Sequence, residues 1–465
     1  MTTKAALTSL YQESGLVLVL GAWAAAIALA PAWSTKAVLA APAVVLPGLW
    51  WMLQRPLRWV AVFFTAALLL PPLPAPIGNS GPHPSLLIAA AGLFAGVLWL
   101  GEWRMPANAL TGAFAVLFAV LLASVAQAAL HSGAEAAGGS LARVALFGIS
   151  VYVFFYTAGV KDRPRPEAGA LWARLSYLYW IAVAAALFGC IDFYFQFPAP
   201  AGYGPQFVWL DSGIYRRAQG LFYEAGTLGN FCAFFLIMIA VALSRPRGES
   251  PVSRKSLLAG GLVFFAALVL SYSRGSVVNL MVALAVLLWL NRARVRWMRV
   301  IPVAAVFGGA AALVTWKIFP AFTEIYWLRL SGTTEFFFSA TEGVLSGRVA
   351  SWRTLLDWLA TNPWQALFGI GYKTLPYSDS VGMPVVADNM YLSLLVETGV
   401  FGLGALFWLS GAILRAGYRT RASLCGTWIL CFWAGEMAQM LSADVLTFWR
   451  VLPIYFWVLA LAVRA

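Results

Sequence analysis

Two arginines and two carboxylates carry the chemistry that this sequence offers. Arg217 lies in the run Tyr215-Arg216-Arg217-Ala218-Gln219-Gly220-Leu221-Phe222-Tyr223-Glu224, and Arg274 in Ser271-Tyr272-Ser273-Arg274-Gly275-Ser276. An arginine presents a planar fork of donors that matches a phosphate and stays charged at any relevant pH. The glycines and serines beside these two let a ligand come close to the backbone. Glu224 follows Arg217 by seven residues, and Asp388 immediately precedes Asn389. Carboxylates so placed are candidates to take a proton from an attacking hydroxyl. A plainer reading exists for each residue. The arginines could be snorkelling anchors or ion pairs, Glu224 a favourable charge at a helix N-terminus, and Asp388 an N-cap. Glu397 and Glu436 read as partners of buried arginines. The two histidines, His83 and His131, each fall in a short loop and read as surface residues.

The elements that must position these residues are membrane helices. Of 465 residues, 62% are hydrophobic and 11% charged, whereas soluble domains hold about 45–50% apolar and ~25% charged residues. A soluble enzyme, a disordered chain and a collagen-like fibre are excluded. An outer-membrane barrel is excluded too, because the apolar runs are continuous rather than alternating. The expected fold is an all-α polytopic membrane protein of about 12–14 transmembrane helices, one integral membrane domain over residues 1–465. Spans are expected near 15–31, 37–53, 59–73, 85–101, 108–130, 141–160, 175–197, 225–244, 256–272, 276–291, 299–317, 390–414, 424–442 and 446–463.

The formal net charge of +13 sits mostly in short loops between these runs. That pattern sets membrane orientation and does not call for a nucleic-acid partner. Arg55, Arg58, Arg104, Lys161, Arg163, Arg165, Arg174, Arg245, Arg247, Arg254, Lys255, Arg292 to Arg299, Arg415, Arg419 and Arg421 fall in every second loop. Both termini are then expected in the cytoplasm. Two long segments are expected outside, 198–224 and 318–389. In the second, Val349, Trp352, Leu355, Leu356 and Leu359 recur at helical spacing beside Trp358 and Trp364, which predicts an amphipathic helix on the outer membrane surface. Basic residues on that side are few: Lys36, Arg143, Arg216, Arg217, Arg274, Arg329, Arg348, Arg353, Lys373 and Arg450. The four cysteines all lie in apolar runs with no metal-ligand spacing, so neither a disulfide nor a metal site is expected.

Ordered motifs then resemble the O-antigen ligase/polymerase superfamily. They are Arg217-Ala218-Gln219-Gly220, Ser273-Arg274-Gly275, Ser346-Gly347-Arg348 with Trp352, Asn362-Pro363-Trp364, Phe368-Gly369-Ile370-Gly371-Tyr372, Asp388-Asn389-Met390-Tyr391-Leu392 and Glu397-Thr398-Gly399. The resemblance covers roughly residues 205–405. It implies a GT-C-like glycosyltransferase without metal or other cofactor, working at the outer, periplasmic face of a bacterial inner membrane. The implied donor is an undecaprenyl-diphosphate-linked glycan; the acceptor is another glycan for a polymerase or lipid A-core for a ligase.

Arg217 and Arg274 match the family's two essential arginines. In ligases a histidine commonly stands where this chain has Asp388, and a glutamate at the Glu224 position is more usual among polymerases. The candidate catalytic set is Arg217, Arg274, Asp388 and Glu224. The candidate substrate-binding set is Arg216, Arg348, Tyr223, Asn389 and Glu397. A polymerase is the first reading and a ligase the second. A lipid-linked glycan transporter is the third; it would show paired broken helices related by a repeat, and no such repeat is visible in the sequence.

Overall fold

The apolar runs fold as helices because a chain in hydrocarbon must satisfy its backbone polar groups within the segment itself. The computed structural model describes residues 19, 21–73, 82–105, 107–160, 168–199, 203–210, 213–246, 248–292, 316–317, 323–324, 327–328, 348–377, 380–382 and 384–464. All but the last two residues of the expected span at 299–317, together with Arg329 and nearly all of 318–347, lie outside these residues.

The helices are α1 (Trp33–Leu53), α2 (Arg58–Leu69), α3 (Pro84–Leu98), α4 (Ala109–Gly159), α5 (Ala168–Phe195), α6 (Ala225–Leu243), α7 (Arg254–Leu270), α8 (Arg274–Leu290), α9 (Arg348–Thr361), α10 (Pro363–Phe368), α11 (Met390–Arg419), α12 (Leu424–Gln439) and α13 (Leu452–Arg464). Four of them, within α4, α5, α6 and α11, are long and apolar enough to cross a membrane unaided; α2, α3, α8 and α13 are shorter apolar helices. Every residue of α13 from Leu452 to Ala462 is buried, as a helix apolar on all sides must be. It forms the centre on which α4, α11 and α12 pack.

Two expected features differ. The loop expected at 131–140 is helical: α4 runs 51 residues and breaks at Gly133, with φ 84° and ψ 175°. Phe114 and Phe154 touch at a ring-centroid distance of 4.6 Å, although forty residues of straight helix would separate them by about 60 Å. Gly133 therefore folds α4 into a hairpin, and the two expected spans survive as its arms.

The span expected from 390 is also broken, at Gly399, with φ 68° and ψ −169°. The ring of Tyr391 stacks on that of Phe407 at 5.4 Å, so the arm 390–398 runs back along the rest of α11. Its far end, Met390, bonds the Met440 carbonyl at 2.8 Å. Eight residues of helix place it roughly 12 Å from the break. The remaining twenty residues of α11 span about 30 Å, one hydrocarbon thickness.

The break explains a motif. Ile370 and Gly371 donate their N–H groups to the carbonyls of Val396 and Glu397 at 3.2 and 2.8 Å, satisfying acceptors freed from the helix. A Cβ on Gly369 would meet the Glu397–Thr398 peptide, and one on Gly399 the Leu367 carbonyl. Gly399→Ala should cost at least about 2 kcal/mol, because its backbone region is essentially closed to L side chains. Gly404→Ala, where nothing lies within 4 Å of the added carbon, should be neutral. Thermal unfolding of the two purified variants checks this; equal midpoints would refute the close-approach account.

The amphipathic helix is present as α9, but its apolar face meets protein. Leu355 and Leu359 pack with Ile370, Leu375, Val385, Ala387, Leu392 and Val396, and the Trp352 indole donates to the Ala387 carbonyl at 2.6 Å. Leu356 and Trp364 remain exposed. The all-helical expectation also omits a two-stranded antiparallel hairpin, β1 (Phe207–Leu210) and β2 (Gly213–Arg216), which pairs Phe207 with Arg216.

The loops sort to two ends. At one end Arg245 bonds the carbonyls of Ala422 and Ser423 at 2.8 and 2.7 Å, Arg464 bonds that of Thr157 at 2.7 Å, and Tyr156 reaches Pro56 at 2.7 Å. This end carries the loops in which basic residues were expected. The opposite end carries Gly133, the hairpin, the 271–273 turn and the loops around 372–388 and 440–450.

Candidate functional site

The site is built where α6 and α8 begin. The chain leaves β2 at Arg216, and Arg217 donates its backbone N–H to Gln206 at 2.9 Å and its Nε to the Ser271 carbonyl at 2.9 Å. The first arginine is thereby fastened to the turn that leads into α8, three residues before Arg274. Arg274 is the first residue of α8 and is half-buried. Ser273, the residue before it, makes no side-chain cap; its hydroxyl pairs with that of Ser276 at 2.8 Å. Gly229 of α6 lets the two elements close up, since a Cβ there would collide with Ser271, Ser273 and Ser276.

Two glutamines that the sequence reading left without a role hold the loop. Buried Gln219 donates to the carbonyls of Gly204 and Tyr223 at 3.0 and 2.9 Å and accepts from the Gln206 N–H at 3.1 Å. Gln206 accepts from the Ala225 N–H at 2.9 Å, doing for α6 what an N-cap side chain does. That leaves the Glu224 carboxylate uninvolved in capping. Its Oε2 accepts instead from the Thr227 hydroxyl at 2.6 Å. Burial pushes the Glu224 carboxyl above its ordinary value; Thr227, Arg217 and Arg143 draw it back, and Asp388 adds to the push.

Asp388 is not the cap of α11. Asn389 is, accepting from the N–H groups of Tyr391 and Leu392 at 3.0 and 3.2 Å. Asp388 is half-buried with φ 45°, in the left-handed region that non-glycine residues seldom occupy. Strain of this kind is held by surrounding structure and clusters at functional sites. The carboxylate lies in one electrostatic neighbourhood with Glu224 and Lys373.

Arg143 and Lys373 join this neighbourhood, and the sequence signalled them only as basic residues on the expected outer side. Arg143, on the second arm of α4, is exposed and reaches the Tyr377 hydroxyl at 3.4 Å. Lys373 pairs with Asp444 and lies 3.9 Å from Glu397. Burial lowers its ammonium, Glu397 and Asp388 raise it, and Arg143 lowers it further.

The remaining candidates are placed as follows. Arg216 faces Asp192 of α5 at 3.6 Å. Tyr223 has φ 55° and sets its ring against Tyr203 at 4.9 Å. Glu397 is buried, accepts from the Ser393 hydroxyl at 3.2 Å and faces Lys373. Glu436 is held by the amides of Asn230 and Asn279. Neither of these carboxylates pairs with an arginine among the described residues, contrary to expectation, because lysine and asparagine occupy the facing positions. Arg348 opens α9, and its side chain lies outside the described residues. Buried Arg450 binds the Ala67 carbonyl at 3.0 and 2.7 Å and that of Leu221, tying the C-terminal end of α2 to the site loop.

His83 is not a surface residue. It is buried, caps α3 by accepting from the Ser85 N–H at 3.2 Å, and reaches the Leu70 carbonyl at 2.9 Å. Burial, with Arg450 nearby, lowers it from 6.5 to about 3. A depressed histidine favours the neutral folded form, so its contribution is complete above pH 6.5 and is lost as pH falls toward 3. The full span corresponds to about 4–5 kcal/mol. His83→Asn keeps a capping side chain and should flatten the fall of the unfolding midpoint across that window; an unchanged slope would show that His83 does not titrate with unfolding. His131 is exposed on α4.

An all-helical, polytopic membrane fold with its polar cluster at one end is the class defined by these observations. Residues 259–407 match a family model described as O-antigen ligase, which supports the O-antigen ligase/polymerase superfamily. The match takes in Arg274, Lys373, Asp388 and Glu397, and begins after Arg217 and Glu224. No curated protein matches the chain.

Proposed function

We propose that this protein is a polysaccharide polymerase, a metal-independent glycosyltransferase using an undecaprenyl-diphosphate-linked glycan at the outer face of a bacterial inner membrane. The observation that carries this reading is that Arg217, bonded to the Ser271 carbonyl beside the start of α8, and Asp388 both act electrostatically on the buried Glu224 carboxyl. Arg217 and Arg274 grip the diphosphate and take up charge as the anomeric C–O bond breaks, its electron pair passing to the phosphate oxygen. The acceptor hydroxyl forms the new C–O bond from the opposite face and gives its proton to Glu224 or Asp388, so the anomeric centre inverts. Arg143 adds positive charge to the surroundings of the Glu224 carboxyl.

The site has no histidine in the position where ligases commonly carry one, which favours a polymerase over transfer to lipid A-core. His83 is committed to capping, and His131 lies on the exposed surface of α4. The glycan profile of a deletion strain tests the choice. Single repeat units attached without chain growth support the polymerase; long chains stranded on the lipid carrier indicate a ligase; unchanged glycans oppose both. The orientation has its own test. A reporter active only in the cytoplasm should be silent when fused after residue 340 and active at the C-terminus; the reverse would invert the topology.

A further inference from the structure

A second polar cluster lies inside the bundle, and glycosyl transfer makes no use of it. Glu436 of α12, Asn230 of α6, Asn279 of α8, Gln439 of α12 and Tyr455 of α13 are all buried. Asn230 Nδ2 donates to Glu436 Oε2 at 2.6 Å, and Asn279 Nδ2 donates to the same oxygen. Both amides also reach Gln439 Oε1, at 3.0 and 3.2 Å. The Tyr455 hydroxyl donates to Asn230 Oδ1 at 2.5 Å. Four helices thus contribute to one cluster, two of them bonding the Glu436 carboxylate directly, among Phe234, Trp428 and Phe432.

The hydrogen bonding is lopsided. One oxygen of Glu436 receives both amides, while Glu436 Oε1 and Asn279 Oδ1 are buried acceptors with no partner. No lysine, arginine or histidine forms an ion pair with Glu436 among the described residues. Among the described residues, Tyr455 and Tyr391 are the titratable groups that interact with Glu436, and Cys232 lies beside Tyr455; none of them is cationic. A carboxylate inside a membrane bundle is costly unless its charge is met, and what this cluster lacks is a donor or a positive charge.

We propose that Glu436 and Asn279 hold one small monovalent cation, a proton or Na⁺, within the bundle. The cluster is joined to the arginine site by a continuous chain of hydrogen bonds. Gln439 Nε2 donates to Ser276 Oγ at 3.2 Å, Ser276 pairs with Ser273 at 2.8 Å, the Ser273 N–H donates to Ser271 Oγ at 3.3 Å, and the Ser271 carbonyl receives Arg217. Loss of the cation would therefore be felt at the start of α8. The cation site stands whether or not glycosyl transfer is the reaction.

The test is thermal unfolding of the purified full-length protein, in NaCl and in choline chloride at equal ionic strength, from mildly acidic to alkaline pH, beside Glu436→Gln. If the cation is Na⁺, the parent gains several degrees in NaCl over choline at alkaline pH, and Glu436→Gln gains nothing. If it is a proton, the two salts are equivalent, the parent loses stability as pH rises, and Glu436→Gln is flatter. A parent indifferent to both salt and pH overturns the proposal whatever the variant does. So does a Glu436→Gln protein that keeps the parent's full response. Should that variant fail to fold, the salt comparison on the parent and on Asn279→Ala decides.

Discussion

Arg274→Ala should lower glycan transfer about a hundredfold, roughly 3 kcal/mol of transition-state stabilisation, with equal folded protein in the membrane. Arg217→Ala should do the same. The two differ in what else they disturb. Arg217 also fastens its loop to the Ser271 carbonyl, so part of its loss is positional, and Arg274 gives the cleaner measure. Arg274→Lys should recover little, because an ammonium is a point charge that cannot offer two parallel donors to a phosphate. Turnover of lipid-linked glycan at saturating substrate is the measurement. Normal chain growth in Arg274→Ala would remove the phosphate grip from the account.

The carboxylates supply the second large effect, and here the structure sharpens the choice. The N-cap reading of Asp388 fails, because Asn389 caps α11 in its place; Glu224 does sit at the N-terminus of α6, where its charge is favourable, but Gln206 and not Glu224 meets the Ala225 N–H. Each carboxylate is left for other work. A general base acts only when ionised, and burial raises the Glu224 carboxyl above its ordinary value of 4.5. If Glu224 is the base, activity rises with pH on the alkaline side of that value, and Glu224→Gln abolishes the rise together with about a hundredfold or more of the rate. If Asp388 is the base, Asp388→Asn carries that loss and Glu224→Gln keeps most of the rate. His131→Ala should match the parent in either case. Pairs of the pH–rate profiles separate the two assignments.

Most of the architecture was legible because a bilayer leaves the backbone few choices. The alternation of basic loops gave a sorting into two ends that the hydrogen bonds of Arg245, Tyr156 and Arg464 reproduce. What was illegible came from single glycines and from contacts distant in sequence. Gly133 looks like any glycine in a small-residue stretch, yet its φ of 84° turns a helix back on itself. Gly399 sits in a run as apolar as a span, and only the approach of Gly369 and Leu367 reveals why the helix breaks there.

The site divides the same way. The candidates Arg217 and Arg274 stood out as basic residues on the expected outer side, and Glu224 and Asp388 as carboxylates at the mouths of expected spans. Arg143 and Lys373 were visible only as members of a longer set, since nothing local shows that α4 and the 372–377 segment reach the same end. His83 could not be told from a surface histidine without the Leu70 carbonyl, thirteen residues away, that receives it.

Transfer of a glycan from a polyprenyl diphosphate by this chain can be measured on purified protein. The full-length protein is reconstituted in lipid with an undecaprenyl-diphosphate-linked oligosaccharide, without nucleotide sugar and with a chelator present, and the released undecaprenyl diphosphate and glycan products are measured by mass spectrometry. Free undecaprenyl diphosphate should appear together with lipid-linked products one or more repeats longer, and neither should form with Arg274→Ala. Intact donor after prolonged incubation with folded protein, or elongation that Arg274→Ala sustains at the parent rate, would contradict the proposed mechanism.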